Sequence, residues 1–447
     1  MSDTAAHPLT YLRQSYGWGP VEFARLLNEL AAVRKLNIAC NRSTVWKWEH
    51  GQVPDEPTQG LIADLIGLAD HQWRYEEWPL WLPVWEVPGL RASWDTPGTV
   101  DALAHLNGSG LMDRRGFVTI TGAALVALAA SWADAPSAFA SALDGDRVTD
   151  AMVTTIEQRV DTLRSLDAQM GGARLLEQAR GDLSLITGLL QGGRYTEQVG
   201  GRLHALAARV CYLTGWMAFD TGLHSAGQQY YVGALRASRT AGDGAFGAFI
   251  LAEMGIHVAE AGHPRDRVHL ITTAIDNAPK SLAPAVGSFL HVHQAVALAG
   301  EGRHERAGAS FSRAVTLWDR HQTTGEDRPD WLAWYGPAQM ASSEGKLLLA
   351  SGQYDKATAS LEDSVNQAVP RDAAVRSARL AEARLLGKDL DGALDAANQG
   401  AALLESRVSS ARATSRLQGF SAKLSPYRRE ARVAEFRDRL SALPTPA

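Results

Sequence analysis

Six short glycine-bearing turns, each set between Ala- and Leu-rich stretches, constrain this chain more than any other feature. They fall at residues 191–195, 221–224, 261–264, 301–304, 351–354 and 386–389, and their first glycines are 30, 40, 40, 50 and 35 residues apart. The stretches between them carry apolar residues at helical spacing, and strand signals are nearly absent. A helix pair of this size cannot bury its apolar face alone, so neighbours must stack. An all-α fold follows for residues 151–447, as a superhelix of helix pairs with a concave inner wall.

The order Ala350-Ser351-Gly352-Gln353-Tyr354-Asp355-Lys356-Ala357 leading to Leu361 is similar to the tetratricopeptide repeat. So is Arg303-His304-Glu305-Arg306-Ala307 leading to Phe311 and Ala314. The resemblance implies a groove for a peptide or another small ligand on the first helix of each pair. Candidate liners are Tyr212, Trp216, Glu253, His257, His291 with His293, Trp331, Trp334 and Glu344. Each competes with a plainer role, as a packed aromatic ring or a satisfied imidazole. The widest spacing contains residues 325–330, a polar loop placed to gate the groove.

The N-terminal 70 residues read differently. Residues 42–54, Arg-Ser-Thr-Val-Trp-Lys-Trp-Glu-His-Gly-Gln-Val-Pro, predict a short helix. Asn41 or Ser43 caps its start, and Gly51 suits the left-handed position past its end. Val45 and Trp48 point inward, leaving Arg42, Ser43, Thr44 and Lys47 outward, where such side chains suit phosphates and base edges. The order Ser-Thr-Val-x-x-Trp-Glu-x-Gly-x-x-Pro resembles the recognition helix of the lambda-repressor-like (Xre-type) helix-turn-helix family. Leu9 and Leu12, then Phe23, Ala24 and Leu27, then Leu61, Ile62, Leu65, Ile66 and Leu68 supply the apolar faces of its other helices.

That resemblance implies DNA binding through Asn41, Arg42, Ser43, Thr44 and Lys47, with Arg34 and Lys35 nearby. One departure stands out. About ten extra residues, 29–39, separate the second and third helices, and Leu30, Val33 and Leu36 continue helical spacing, so the second helix is expected to lengthen. In this the domain resembles a variant group of actinobacterial regulators.

Charge limits the mode of binding. The whole chain has a formal charge of −5, so it is not a nucleic-acid coat. Residues 1–70 hold six Lys or Arg against eight Asp or Glu, but the window 30–48 contains Arg34, Lys35, Arg42 and Lys47 and no acid. A small basic face of this kind gives modest non-specific affinity, so a dimer on a near-palindromic site is expected.

Residues 71–112 hold Trp73, Tyr75, Trp78, Trp81, Trp85 and Trp94 among Pro79, Pro83, Pro88 and Pro97. Prolines rule out one long helix, and this much aromatic surface suits docking of the first domain onto the next. Residues 113–150 begin Asp-Arg-Arg-Gly-Phe-Val, a twin-arginine-like string, and run on into an apolar stretch to Ala130. That run is too short for a membrane span and reads as a buried connecting helix.

Cys40 and Cys211 are the only cysteines, which suits a reducing cytoplasm and excludes a disulfide framework. There is no nucleophile elbow, His-Glu-x-x-His pair, phosphate loop or dinucleotide fingerprint, so neither enzyme chemistry, a metal nor a cofactor is expected. Residues 407–439 carry nine Lys or Arg and three Asp or Glu, densest at Arg428, Arg429 and Arg432, and read as a solvated capping helix. The expected whole is a cytoplasmic, homodimeric DNA-binding transcriptional regulator whose repeat domain senses a peptide or other ligand. The alternative is a protein-interaction scaffold whose first domain no longer reads DNA.

Overall fold

The computed structural model describes residues 8–15, 18–66, 78, 82, 92–108, 123–134, 146–260, 264–326, 328–406 and 408–443. The described chain is all-α apart from a parallel bridge of two residues a side, Asp146–Arg147 against Gly193–Arg194.

Four helices form the N-terminal unit: α1 (Pro8–Ser15), α2 (Pro20–Val33), α3 (Arg42–Glu49) and α4 (Glu56–Leu65). Their apolar residues recur every three or four positions, so each helix turns one stripe inward. Leu9, Leu12, Phe23, Leu27, Val45, Trp48, Leu61 and Ile62 meet in one core, as the sequence spacing predicts. Leu68 lies outside the described residues.

The second helix is less extended than its spacing suggests. It ends at Val33, Arg34 caps it, and Lys35 takes the left-handed conformation with φ 56°. Leu36, read above as a helical position, is instead on the exposed, irregular path to α3. That path is held by one side chain. The Asn28 amide donates to the Cys40 carbonyl at 2.8 Å and accepts from the Cys40 N–H at 2.7 Å.

The aromatic linker is described at only a few points. Trp78 and Leu82 join the N-terminal core. Further on, Arg236 lies 4.5 Å over the Trp94 ring and donates to the Ala92 and Ser93 carbonyls. The linker is thus tied to the N-terminal core at one end and to the larger body at the other. Trp73, Tyr75, Trp81 and Trp85 lie outside the described residues, as does the Arg114-Arg115 string.

The body begins before the repeats. Helices α5 (Thr96–Gly108) and α6 (Ala123–Asp134) send Leu103, Leu106, Leu125, Leu128 and Trp132 into its core. Gly247 is required where Trp132 docks, because a Cβ there would lie 2.4 Å from the indole nitrogen. The apolar run ending at Ala130 is therefore a packed helix where it is described.

Next come α7 (Asp150–Met170) and α8 (Leu176–Gly192), then five helix hairpins. These pair α9 (Glu197–Asp220) with α10 (His224–Thr240), and α11 (Gly244–Glu260) with α12 (Pro264–Asp276). They continue with α13 (Pro284–Gly300) and α14 (His304–Thr324), then α15 (Pro337–Ala350) and α16 (Tyr354–Asn366), then α17 (Pro370–Leu386) and α18 (Leu390–Ser406). Helices α19 (Ala411–Lys423) and α20 (Ala431–Ser441) close the chain.

Three of the expected turns use glycine as predicted, with φ +86° at Gly222, +74° at Gly302 and +76° at Gly352. In the 386–389 turn the left-handed residue is Lys388, at φ 66°, and Gly387 is one place too early. The 191–195 stretch is no such turn, since Gly193 is extended in the parallel bridge.

The superhelix does not stay open. Asp167 of α7 forms a buried ion pair with Arg371 of α17, and the Ser409 N–H donates to the Met170 carbonyl at 3.0 Å. Asp220, at the end of α9, accepts from Ser410 at 2.9 Å and from Arg412 at 3.2 Å. The last helices therefore lock onto the first, and the concave wall becomes the lining of a central chamber. No described helix is long and apolar enough to cross a membrane. Cys40 and Cys211 are both buried and free.

Candidate functional site

Two surfaces stand out, the outer face of α3 and the chamber. Helix α3 is fixed at both ends by its own residues. The Asn41 carboxamide oxygen accepts from the Thr44 N–H at 3.0 Å, and the Thr44 hydroxyl closes the capping box. At the other end the Gln52 N–H reaches the Lys47 carbonyl at 3.0 Å and Gly51 sits at φ +100°. Together these bonds form a Schellman turn. Asn41 and Thr44 are thus engaged in shaping the helix, and Ser43 is not its cap.

The underside is braced by a pair that spacing could not reveal. Arg13 of α1 donates to Glu49 at 2.6 Å and to the Trp18 carbonyl at 2.8 Å. Both charged side chains are nearly buried, at 5% and 8% exposure. What remains outward on α3 is Arg42, Ser43, Trp46, Lys47 and His50. Trp46 is 55% exposed and stacks on His50 at 4.0 Å. Sequence reasoning missed Trp46, because an aromatic next to a core position reads as core.

The basic window is smaller than its composition. Arg34 is paired with Asp64 at 2.7 Å, so it is not a free phosphate contact. Arg13 and Arg25 are also bound to acids of the same unit. Lys35, Arg42 and Lys47 carry no ion pair among the described residues. Local charge on the outer face of α3 is therefore positive although the unit as a whole is not.

The chamber has a volume of about 450 Å³. Its wall is made by α7 and by the first helices of all five hairpins, with α12 and α19. Of the candidate liners, Tyr212, Trp216, Glu253, His293 and Trp334 are on it. Trp216 lies beneath two guanidinium groups, Arg412 at 4.8 Å and Arg371 at 5.3 Å. Trp334, from the widest inter-repeat segment, is 41% exposed at the chamber.

Four other candidates are placed elsewhere. His257 is wholly buried, 3.1 Å from His224 and packed on Phe219. Trp331 is in the aromatic core, 4.9 Å from Phe249 and 5.1 Å from Phe246. His291 turns toward α14, within 3.4 Å of the Ser310 hydroxyl. Glu344 faces α16 and accepts from Ser360 at 3.0 Å. Helical spacing names the residues near a face but not which of them lies at its centre.

The larger omission is cationic. Eight basic side chains line the chamber against four carboxylic ones, an excess of four. Arg371, Arg376 and Arg379 come from α17, Arg412 and Arg416 from α19, with Arg164, Arg267 and Lys346 from three others. The signal in the sequence was arginines recurring on otherwise Ala- and Leu-rich helices, at 371, 376 and 379 and again at 412 and 416. In the basic C-terminal stretch it was the first part, not the dense Arg428–Arg432 cluster, that turned inward. Arg432 instead pairs with Asp391 and Asp395 at the surface.

Pairing inside the chamber is incomplete. Arg371 is held by Asp167 and Asp372, and Arg376 by Asp372 and Gln339. Arg416 and Arg379 share Glu260. Burial pushes the Glu260 carboxyl up, but Arg412, Arg416 and Arg379 outweigh it and hold the group at about 2. Arg267 and Lys346 have no ion pair among the described residues.

Burial, followed by repulsion from Arg379 and Arg267, drives the Lys346 ammonium well below its ordinary range. Burial and the neighbouring Arg416 do the same to Arg379. Burial pushes the Glu253 carboxyl up to about 7 and the Asp167 carboxyl up to about 6, the latter against the pull of Arg371. His293 is 3% exposed and neither ring nitrogen has a partner.

No curated protein matches the chain. Residues 9–69, which span α1 to α4 and so include the helix that presents Arg42 and Lys47, match the family described as SP15 N-terminal domain.

Proposed function

We propose that the chain is a DNA-binding transcriptional regulator acting as a homodimer, with the N-terminal unit as reader and the closed repeat ring as dimerisation and sensing domain. The reading treats the unit as a helix-turn-helix of Xre type and the ring as tetratricopeptide-like. One observation carries it: α3 is capped at both ends, braced from beneath by Arg13 and Glu49, and turns Arg42, Ser43 and Lys47 to solvent without ion pairs. A short rigid helix with free cations on one face suits the major groove. Arg42 and Lys47 would meet bases or phosphates, Lys35 a flanking phosphate, while Asn41 and Thr44 set the helix start.

The ring, being closed, suits a compact effector better than an extended peptide. A ligand alters operator affinity only by favouring one dimer arrangement over another.

The test is binding of the full chain to its own upstream DNA across a salt series. Replacing Arg42 and Lys47 by Ala should weaken binding and lower the slope of log K against log salt by roughly two, one for each lost phosphate contact. Unchanged affinity and slope would reject this docking.

A second reading is a protein-interaction scaffold. Its support is the exposure of Val33, Leu36, Trp46 and Val53 on the N-terminal unit, more apolar surface than a groove reader requires. Retention on random duplex DNA at low salt separates the two, because a scaffold is not retained in a salt-dependent way.

A further inference from the structure

We propose that the chamber binds a phosphorylated small molecule, with a phosphate group seated among Arg267, Lys346 and Arg379. This deepens the reading of the ring as a sensor. Its effect on DNA rests on that reading, but the binding itself does not.

The argument begins with charge. Eight cations line the chamber, and the four carboxylic groups of its wall, with Asp220 behind Arg412 and Asp161 beside Arg164, leave an excess of two, which is unfavourable unless something neutralises it. Burial pushes groups of both signs toward the neutral form, Glu253 and Asp167 on one side and Lys346 on the other. Arg267 and Lys346 lack ion-pair partners, and the Arg267 Nε and Arg416 Nε are buried without acceptors. His293, buried beside them with both nitrogens free, adds a donor or acceptor on the same wall.

Geometry then narrows the ligand. Guanidinium forks suit phosphate and carboxylate oxygens alike, so fork shape does not choose between them. Charge density does. A carboxylate brings one negative charge, whereas a phosphate monoester brings ≈ 1.5–2 at neutral pH. One phosphate group therefore balances the excess and leaves room in about 450 Å³ for an organic body. Trp334, Ile256 and Val296 offer that body an apolar wall.

Ligand binding should be followed by calorimetry and by thermal midpoint, on the full chain at low salt. The probes are inorganic pyrophosphate, ATP, fructose 1,6-bisphosphate and citrate. Pyrophosphate is expected to bind and to raise the midpoint, and one of the two organic phosphates to bind about tenfold more tightly through the apolar wall. Preference for ATP assigns a nucleotide, and preference for the bisphosphate a phosphorylated sugar.

Lys346→Met and Arg379→Met should each weaken phosphate binding about tenfold or more. Each should also raise the midpoint of the ligand-free chain, because each relieves crowding among half-buried cations that repel one another. A cation that served only the fold would lower the midpoint when removed. No binding by any phosphorylated probe overturns the proposal, as does citrate binding as tightly as the best of them. Unchanged affinity in both variants, or a lowered ligand-free midpoint in both, overturns it too. The Arg42→Ala/Lys47→Ala chain should bind phosphate normally, so loss of DNA binding and loss of ligand binding are read separately.

Discussion

The Arg13–Glu49 pair allows the sharpest test of how the candidate DNA-reading helix is held. Among the described residues, Glu49→Ala removes the one carboxylate that Arg13 contacts and leaves a guanidinium nearly buried, at 5% exposure, with the Trp18 carbonyl as its remaining acceptor. Breaking a buried pair from one side costs ~3–5 kcal/mol, most of it the desolvated charge left behind. The N-terminal unit has roughly 60 residues, for which a total stability of ~3–9 kcal/mol is ordinary. The substitution therefore consumes a third of that stability at the least, and at worst all of it.

The readout must be local, because the ring has its own core. Amide hydrogen exchange read by peptide suits this. A loss of 3 kcal/mol raises the opening constant of α2 and α3 roughly 150-fold, while ring peptides stay protected. Replacing both partners, Arg13→Met with Glu49→Met, should recover much of the protection, since an apolar pair of similar volume avoids the stranded charge. If Glu49→Ala accelerates exchange in α2 and α3 less than about fivefold, under ~1 kcal/mol, the pair is not a brace and the argument fails.

Two further outcomes are expected. Lys388→Gly should stabilise the ring by about 1 kcal/mol in denaturant melts, because Lys388 holds φ 66° where the other measured turns place glycine; a destabilised variant would contradict this. Glu253→Gln should change the pH dependence of stability. With its folded carboxyl near 7, the unfolded chain ionises first as pH rises from about 4.3, so Glu253 withdraws stability between there and 7 and leaves it lower above. The glutamine variant should be more stable than the parent at pH 8, by on the order of 3–4 kcal/mol, and nearly equal at pH 4; a gain that does not grow with pH refutes the assignment.

Local features were readable from the sequence. The cap at Asn41, the left-handed Gly51 and the inward stripe of Val45 and Trp48 depend on residues within a turn of each other, where spacing is informative. So do the turns at Gly222, Gly302 and Gly352. The misreadings share a cause. Leu36 continued a helical period, but Lys35 had already left the helix. His257 lies one helical step from Glu253 and faces His224 instead of the chamber. Arg13 and Glu49 are 36 residues apart, Asp167 and Arg371 204. A cationic chamber assembled across such distances has no periodic signature. Only isolated arginines on small-residue helices marked its wall, and those look the same on a surface.

The lock between α7 and α17 gives the molecule an order of events. Ribosomes deliver the early helices first, and in an open array each new pair would simply extend a finished structure. Here the wall lacks five of its eight cations until Arg371, and finally Arg412 and Arg416, have emerged. An unfinished polypeptide can therefore complete its N-terminal unit while the chamber is still without most of its positive charge.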